Sequence, residues 1–313
     1  MTLTLDPEVG AALQALVAQA GEPVPLAAGD VAGRREAMGQ LFSVLGTLVP
    51  PAPEVTVEST SLQVDGAELE LRMYRPAQPS GSAALYVHGG GMIGGSVEIY
   101  DPFLRSYVQA SGVPLVAVDY RLAPEFPHPT PVEDCFAALR WLVDHAADLG
   151  ADPERIGVIG DSAGGGLSAG LALLARDRGV PVARQILIHP MLDDRNTSPD
   201  PAIAPFAVWT YDDNITGWGS LLGDAAGGDD VPPSAAPARA GSLKGLAPAY
   251  VEVGQLDIFA EEDVTYARRL MAAGVATELH VHPGCPHAFE AFAPDSAVGR
   301  RAVADRIRQL QLL

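Results

Sequence analysis

The sequence predicts an α/β fold, a mostly parallel central sheet flanked by helices and covered in part by an inserted cap. Three observations carry that expectation. Near-continuous apolar runs, Ala84-Leu85-Tyr86-Val87, Leu115-Val116-Ala117-Val118, Ile156 to Ile159, Ile186-Leu187-Ile188 and Tyr250-Val251-Glu252-Val253, are separated by helical segments, as expected of strands covered on both faces. The stretch Arg155 to Gly166 joins one of these strands to a helix through a turn that only small residues tolerate, and Leu167, Leu171 and Leu174 then recur at helical spacing. The segment from Met191 to about Pro233 breaks the alternation with Pro, Asp, Asn and Gly around Phe206, Trp209, Tyr211 and Trp218, and reads as the cap.

In chain order, residues 7–48 read as helical. Val9, Leu13, Leu16 and Val17 form one apolar face, and Met38, Leu41, Phe42 and Leu45 a second, with the breaker Gly21-Glu22-Pro23-Val24-Pro25 between them. After Pro50-Pro51-Ala52-Pro53, Glu54 to Tyr74 alternates as an antiparallel hairpin turning at Asp65-Gly66, with Leu69, Leu71 and Met73 on the buried face. Helices are expected at Val132 to Ala147, Glu261 to Ala273 and Ala302 to Leu312, and a last strand at Thr277 to His282.

With 313 residues and 48% hydrophobic content, the chain can form one large α/β domain or two small ones and fill a sizeable core. Lys+Arg 20 against Asp+Glu 39 leaves a net charge of −19, which disfavours nucleic acid and anionic membrane as partners. Cys135 and Cys285 are too few for a disulfide framework and fit a reducing, cytoplasmic compartment. Met1 to Pro7 has no positive leader pattern, and no run is apolar enough to span a bilayer, so neither secretion nor membrane insertion is expected.

The chemistry concentrates at Gly160-Asp161-Ser162-Ala163-Gly164. The Gly-x-Ser-x-Gly pattern between a strand and a helix is that of a nucleophile elbow, in which flanking glycines let the serine hydroxyl stand out above the sheet. His88-Gly89-Gly90-Gly91 follows another strand. It lacks the spacing of a dinucleotide or phosphate loop and instead suits backbone donors to a developing oxyanion, with Gly89, Gly90 and Ala163 the expected donors and His88 a brace. A serine needs a base, and the base an acid. Asp257, just past an apolar strand, and His287, after a later strand, follow Ser162 in that order. Glu261, Glu262 and Asp263 are alternative acids, but their place inside a helix suits a solvated or dipole-facing row. His280, His282, Cys285 and His287 leave a zinc site open as a rival reading, although no second cluster closes it.

Taken together, His88-Gly89-Gly90-Gly91, Asp119-Tyr120-Arg121-Leu122-Ala123-Pro124-Glu125, Gly160-Asp161-Ser162-Ala163-Gly164-Gly165 and Pro283-Gly284 followed by His287 resemble the bacterial hormone-sensitive-lipase-like, or family IV, esterases of the α/β-hydrolase superfamily, over roughly residues 55–310. The resemblance implies a single α/β-hydrolase domain over 1–313, with a cap formed by about 1–50 and about 191–233. It implies a triad of Ser162, Asp257 and His287 and no cofactor. The activity implied is hydrolysis of short- to medium-chain carboxylic esters, small-molecule substrates, through an acyl-enzyme; amidase or lactonase activity by the same triad is the alternative. Members often pair through the last sheet strand, so a homodimer is an expectation. The plant gibberellin receptors resemble the same family without the histidine, which leaves a non-catalytic ligand-binding homologue as the contrasting class. Met92, Leu256-Asp257-Ile258-Phe259 and Cys285 depart from the family pattern around the acyl pocket, and Cys285 beside His287 predicts sensitivity to bulky thiol reagents.

Overall fold

The computed structural model describes residues 3–21 and 24–313; Glu22 and Pro23 of the expected breaker, and Met1 and Thr2 of the expected leaderless start, lie outside the described residues. Two helices come first, α1 (Pro7–Ala20) and α2 (Val31–Gly46), opened by the side chains of Asp6 and Asp30, which accept first-turn amides. The hairpin follows as β1 (Thr56–Val64) and β2 (Ala67–Arg75). Asp65 and Gly66 both take positive φ, 51° and 79°, as a two-residue primed turn requires. Leu69, Leu71 and Met73 are buried as expected.

The remaining elements alternate: β3 (Ala83–Val87), α3 (Val97–Ser111), β4 (Leu115–Val118), α4 (Thr130–Asp144), β5 (Ile156–Asp161), α5 (Ala163–Arg178), β6 (Arg184–Ile188), α6 (Tyr211–Leu222), β7 (Ala249–Gly254), α7 (Ala260–Ala272), β8 (Thr277–His282), α8 (Phe289–Phe292) and α9 (Ala297–Gln311). Among the described residues one sheet of eight strands forms, in the order β1-β2-β4-β3-β5-β6-β7-β8. Only β2 runs against its neighbours β1 and β4; the others are parallel, so the loops after β3, β5, β7 and β8 leave from the same edge.

The two-residue strand period divides the core. Leu85, Val87, Val116 and Val158 pack with Leu139 and Leu171 of α4 and α5 on one face. Ala84, Tyr86, Leu115 and Ala117 pack with Leu104, Val108 and Leu310 of α3 and α9 on the other. α5 is a helix despite Gly164, Gly165, Gly166 and Gly170, each costing about 1 kcal/mol in intrinsic propensity. Burial explains their presence: a Cβ at Gly166 or Gly170 would collide with the carbonyls of Met191 or Ser234.

The helices differ from expectation at three places, the first being that α9 begins at Ala297 rather than Ala302. The helix placed over Val132 to Ala147 ends at Asp144 and continues as a 3-10 turn, Ala146–Leu149. The sequence reading also passed over α3, although Tyr100, Leu104 and Val108 mark its buried face at i, i+4 and i+8. Among the described residues no helix is long and apolar enough to cross a membrane.

Candidate active site

Ser162 lies between the end of β5 and the first residue of α5, with φ 55° and ψ −122°, a left-handed backbone that a non-glycine residue adopts only under constraint. The constraint comes from both sides. The Ser162 amide donates to the Ile188 carbonyl at 2.8 Å, and the Ser162 carbonyl accepts the Met191 amide at 2.9 Å. A Cβ at Gly160 would strike the Gly164 carbonyl, and one at Gly164 would strike that of Val87, so the close approach of β3 to the elbow depends on glycine.

The Asp257 and His287 loops are folded against each other. The Leu256 amide donates to the Cys285 carbonyl at 2.9 Å, and a Cβ on Gly254 would fill the space that carbonyl occupies. This puts His287 Nδ1 2.6 Å from Asp257 Oδ2 and His287 Nε2 3.0 Å from Ser162 Oγ. The other Asp257 oxygen accepts the Phe259 amide at 3.0 Å. Ser162 and His287 keep 6% and 7% of their surface, Asp257 only 1%. With Nδ1–H donated to the carboxylate, neutral His287 leaves Nε2 as the acceptor for the serine hydroxyl. Burial alone would lower the imidazole's pKa; the charge and hydrogen bond of Asp257, joined by the charges of Glu290 and Asp161, outweigh it and hold the value above that of an ordinary histidine.

The rival acids do not reach the imidazole. Glu261 is exposed. Glu262 is not the solvated residue expected of this row: it is buried and accepts the amides of Leu192 and Asp193 and the Asn196 side chain, tying the Met191 segment to α7. Asp263 is fully buried with no hydrogen-bond partner among the described residues, and burial pushes its pKa well up. The residues of the zinc reading do not converge either. His280 pairs with Glu278 and Asp305, a triple whose carboxylates already meet Arg308, while His282 is buried beside Glu252 and His287 belongs to the serine.

The glycine loop departs from expectation at one residue. The Gly89 amide donates to the Tyr100 hydroxyl at 3.1 Å, and that hydroxyl donates to Asp161 at 2.8 Å. Gly89 is therefore engaged and is not an available oxyanion donor. Among the described residues the amides of Gly90, Gly91 and Ala163 have no hydrogen-bond partner. Gly90 requires glycine twice over, by a φ of 119° and because a Cβ there would collide with the Gly94 carbonyl. His88 braces the loop: its Nδ1 lies 2.8 Å from the Gly89 carbonyl and its ring stacks on Tyr120 at 4.3 Å. Burial lowers its pKa, so it stays neutral. Tyr100 was missed by the sequence reading together with its helix.

Above the loop, the Trp209 ring rests directly against Gly91. Trp209 and Phe206 are half-buried, whereas Tyr211 and Trp218 belong to the core. Arg34 of α2 donates to Asp213 of α6 at 2.8 Å, and Arg35 donates to the Ile93 carbonyl at 2.6 Å, so α2 bridges the inserted segment and the glycine loop. α1 packs elsewhere, with Val9 against Cys285 and Phe289. The surroundings of Cys285 run against the expected thiol reactivity: the residue has no exposed surface, and burial pushes its thiol up to about 12.

Comparison with known proteins gives a consistent picture. A family model described as alpha/beta hydrolase fold matches residues 84–291. Carboxylesterase NlhH of Mycobacterium tuberculosis is 37% identical over 248 residues, 77% of each chain. Ethyl acetate hydrolase of Pseudomonas putida is 33% identical over 303 residues, 92% of each. Among solved structures, a bacterial heroin esterase superposes with a TM-score of 0.87 at 37% identity, covering 98% of this chain and 97% of its own.

Proposed function

The chain belongs to the hormone-sensitive-lipase-like family of α/β hydrolases and is a carboxylic ester hydrolase, and on that premise we propose that Ser162 is its nucleophile, His287 its base and Asp257 the acid that orients the base. Ser162 Oγ attacks the acyl carbon while His287 Nε2 takes its proton. The carbonyl oxygen becomes an oxyanion received by the amides of Gly90, Gly91 and Ala163 at the N-terminus of α5. Collapse expels the alcohol, protonated by His287, and leaves the acyl group on Ser162. Water, deprotonated by His287, then releases the acid and restores the serine. Asp257 holds the Nδ1–H tautomer and stabilises the imidazolium. The observation that carries this reading is the unbroken Asp257–His287–Ser162 chain, 2.6 and 3.0 Å, beside three amides that have no acceptor among the described residues.

The same triad would serve an amidase or lactonase; the ester-cleaving relatives favour the ester. A non-catalytic ligand-binding homologue is disfavoured by the presence of the base. The Trp209 ring against Gly91 limits the room beyond the oxyanion donors, which supports short- to medium-chain acyl groups. α2 and the 191–233 segment act as the cap in this reading, and two copies pair along β8, one of the two edge strands of the sheet, as a cytoplasmic homodimer. Turnover of p-nitrophenyl acetate tests the assignment. Wild type turns over and Ser162→Ala does not, and a matched p-nitroanilide is cleaved far more slowly; an inert wild type or a fully active Ser162→Ala contradicts it.

A further inference from the structure

Behind the triad lies a charge cluster that the mechanism above does not use. Arg306 of α9 is 2% exposed, Glu252 of β7 1% and Glu290 of α8 9%. Arg306 Nη1 donates to Glu290 Oε1 at 2.8 Å and to the Tyr107 hydroxyl at 2.9 Å, while Nε and Nη2 meet Glu252 Oε1. The second Glu252 oxygen accepts the Tyr250 hydroxyl and has His282 Nε2 3.7 Å away. Two carboxylates thus face one guanidinium in a region where unpaired charge is expensive.

The cluster reaches the imidazole from two directions. Glu290 stands three residues beyond His287, in a helix of only four residues entered through Ala288 at φ 54°. So short a helix has no stability of its own, and its place is set by what its side chains hold. On the other side, the Glu252 carbonyl accepts the His189 amide at 2.7 Å, and the His189 ring meets the His287 ring edge-on at 4.4 Å. Arg306 therefore grips both the segment that follows the base and the strand that backs its aromatic neighbour.

We propose that Arg306 is a positioning residue for the base: acting through Glu290 and Glu252, it keeps the His287 imidazole in line with Ser162 and Asp257. The inference rests on His287 being the base. The charged and titratable groups facing that ring are Asp257 from the β7–α7 loop, Asp161 and Ser162 from the elbow, His189 from the end of β6 and Glu290 from α8. Asp257, Glu290 and Asp161 favour its protonated form, whereas His189 is held neutral by its burial and by His287 itself.

The test uses the full chain with p-nitrophenyl acetate, reading kcat, KM, the pH profile of kcat/KM and thermal stability together. Glu290→Gln is nearly isosteric but removes the charge by which Arg306 holds α8, while leaving Arg306 paired with Glu252. It should lower kcat about ten- to hundredfold with KM within about twofold, the signature of a displaced catalytic group. Removal of the Glu290 charge should also move the acid limb to lower pH. Arg306→Lys should retain more kcat than Arg306→Met; if Arg306→Met does not fold, Glu290→Gln alone decides. A Glu290→Gln enzyme with wild-type kcat, whatever its acid limb or melting temperature, overturns the inference and leaves the cluster a packing element. His287→Ala separates the two levels: full turnover in that variant removes the base assignment itself, whereas an inactive His287→Ala beside a wild-type-like Glu290→Gln removes only the role of Arg306.

Discussion

The Tyr100 hydroxyl accepts the Gly89 amide at 3.1 Å and donates to Asp161, the residue before the nucleophile, at 2.8 Å. One phenol thus fastens the glycine loop to the elbow. It also decides which glycine amides remain free, since a donor already satisfied by protein gains nothing from an oxyanion. Tyr100→Phe leaves the buried Gly89 N–H without its acceptor. It should cost about 1–3 kcal/mol of stability and lower kcat about tenfold through displaced oxyanion donors, with KM little changed. Denaturant melts and steady-state kinetics on short p-nitrophenyl esters check both parts.

The imidazole that accepts the serine proton must be neutral, and its pKa lies above the ordinary histidine value because Asp257, with Glu290 and Asp161, outweighs burial. Activity should therefore fall as pH drops, with the acid-limb midpoint of kcat/KM above about 6.5. Asp257→Asn removes the largest raising influence, leaving Glu290 and Asp161 against burial, so any residual activity should persist to lower pH. The amide also fails to hold the Nδ1–H tautomer, and kcat should drop on the order of 10⁴-fold. A variant whose acid limb stayed in place would disconnect Asp257 from the base.

Trp209 rests on Gly91, and its ring is half-buried rather than part of the core. Trp209→Ala should open space beside the oxyanion donors and shift the acyl preference toward longer chains, read as the ratio of kcat/KM for decanoyl over acetyl p-nitrophenyl esters. A ratio unchanged by the substitution would place the acyl group elsewhere under the cap.

Cys135 and Cys285 are both free and both fully buried. The Cys285 thiol, pushed up to about 12, carries almost no thiolate at neutral pH. Native enzyme should keep its activity under a bulky aromatic disulfide reagent, and both thiols should titrate only after denaturation. Rapid inactivation, protected by substrate, would mean that the 285 loop opens in solution.

What was legible in the chain was local or periodic. The elbow could be read because Gly160, Ser162 and Gly164 satisfy a backbone demand within a few residues, and the hairpin because Asp65-Gly66 and the alternation of Leu69, Leu71 and Met73 agree. Asp257 and His287 followed from chain order and from the edge of a parallel sheet. The choice among Gly89, Gly90 and Gly91 was not legible, since it depends on a phenol from α3 reaching back to the loop. Glu252 was a visible hint, a charge in an otherwise apolar strand, and such a charge demands a partner. Its partner could not be picked out, because α9 carries Arg300, Arg301, Arg306 and Arg308 and only packing shows that Arg306 alone of these is buried. Glu262 was misjudged for a related reason: the amides it accepts lie about seventy residues earlier in the chain.

The proposed mechanism requires a covalent acyl group at Ser162. Rapid mixing of enzyme with p-nitrophenyl acetate, quenched in acid and analysed by peptide mass, should find an acetyl group on the peptide containing Ser162. A p-nitrophenol burst should appear wherever deacylation is the slower step, and His287→Ala should accumulate neither product nor adduct at the wild-type rate. Efficient turnover without any adduct at Ser162, or an adduct at another residue that chases into product, would contradict it.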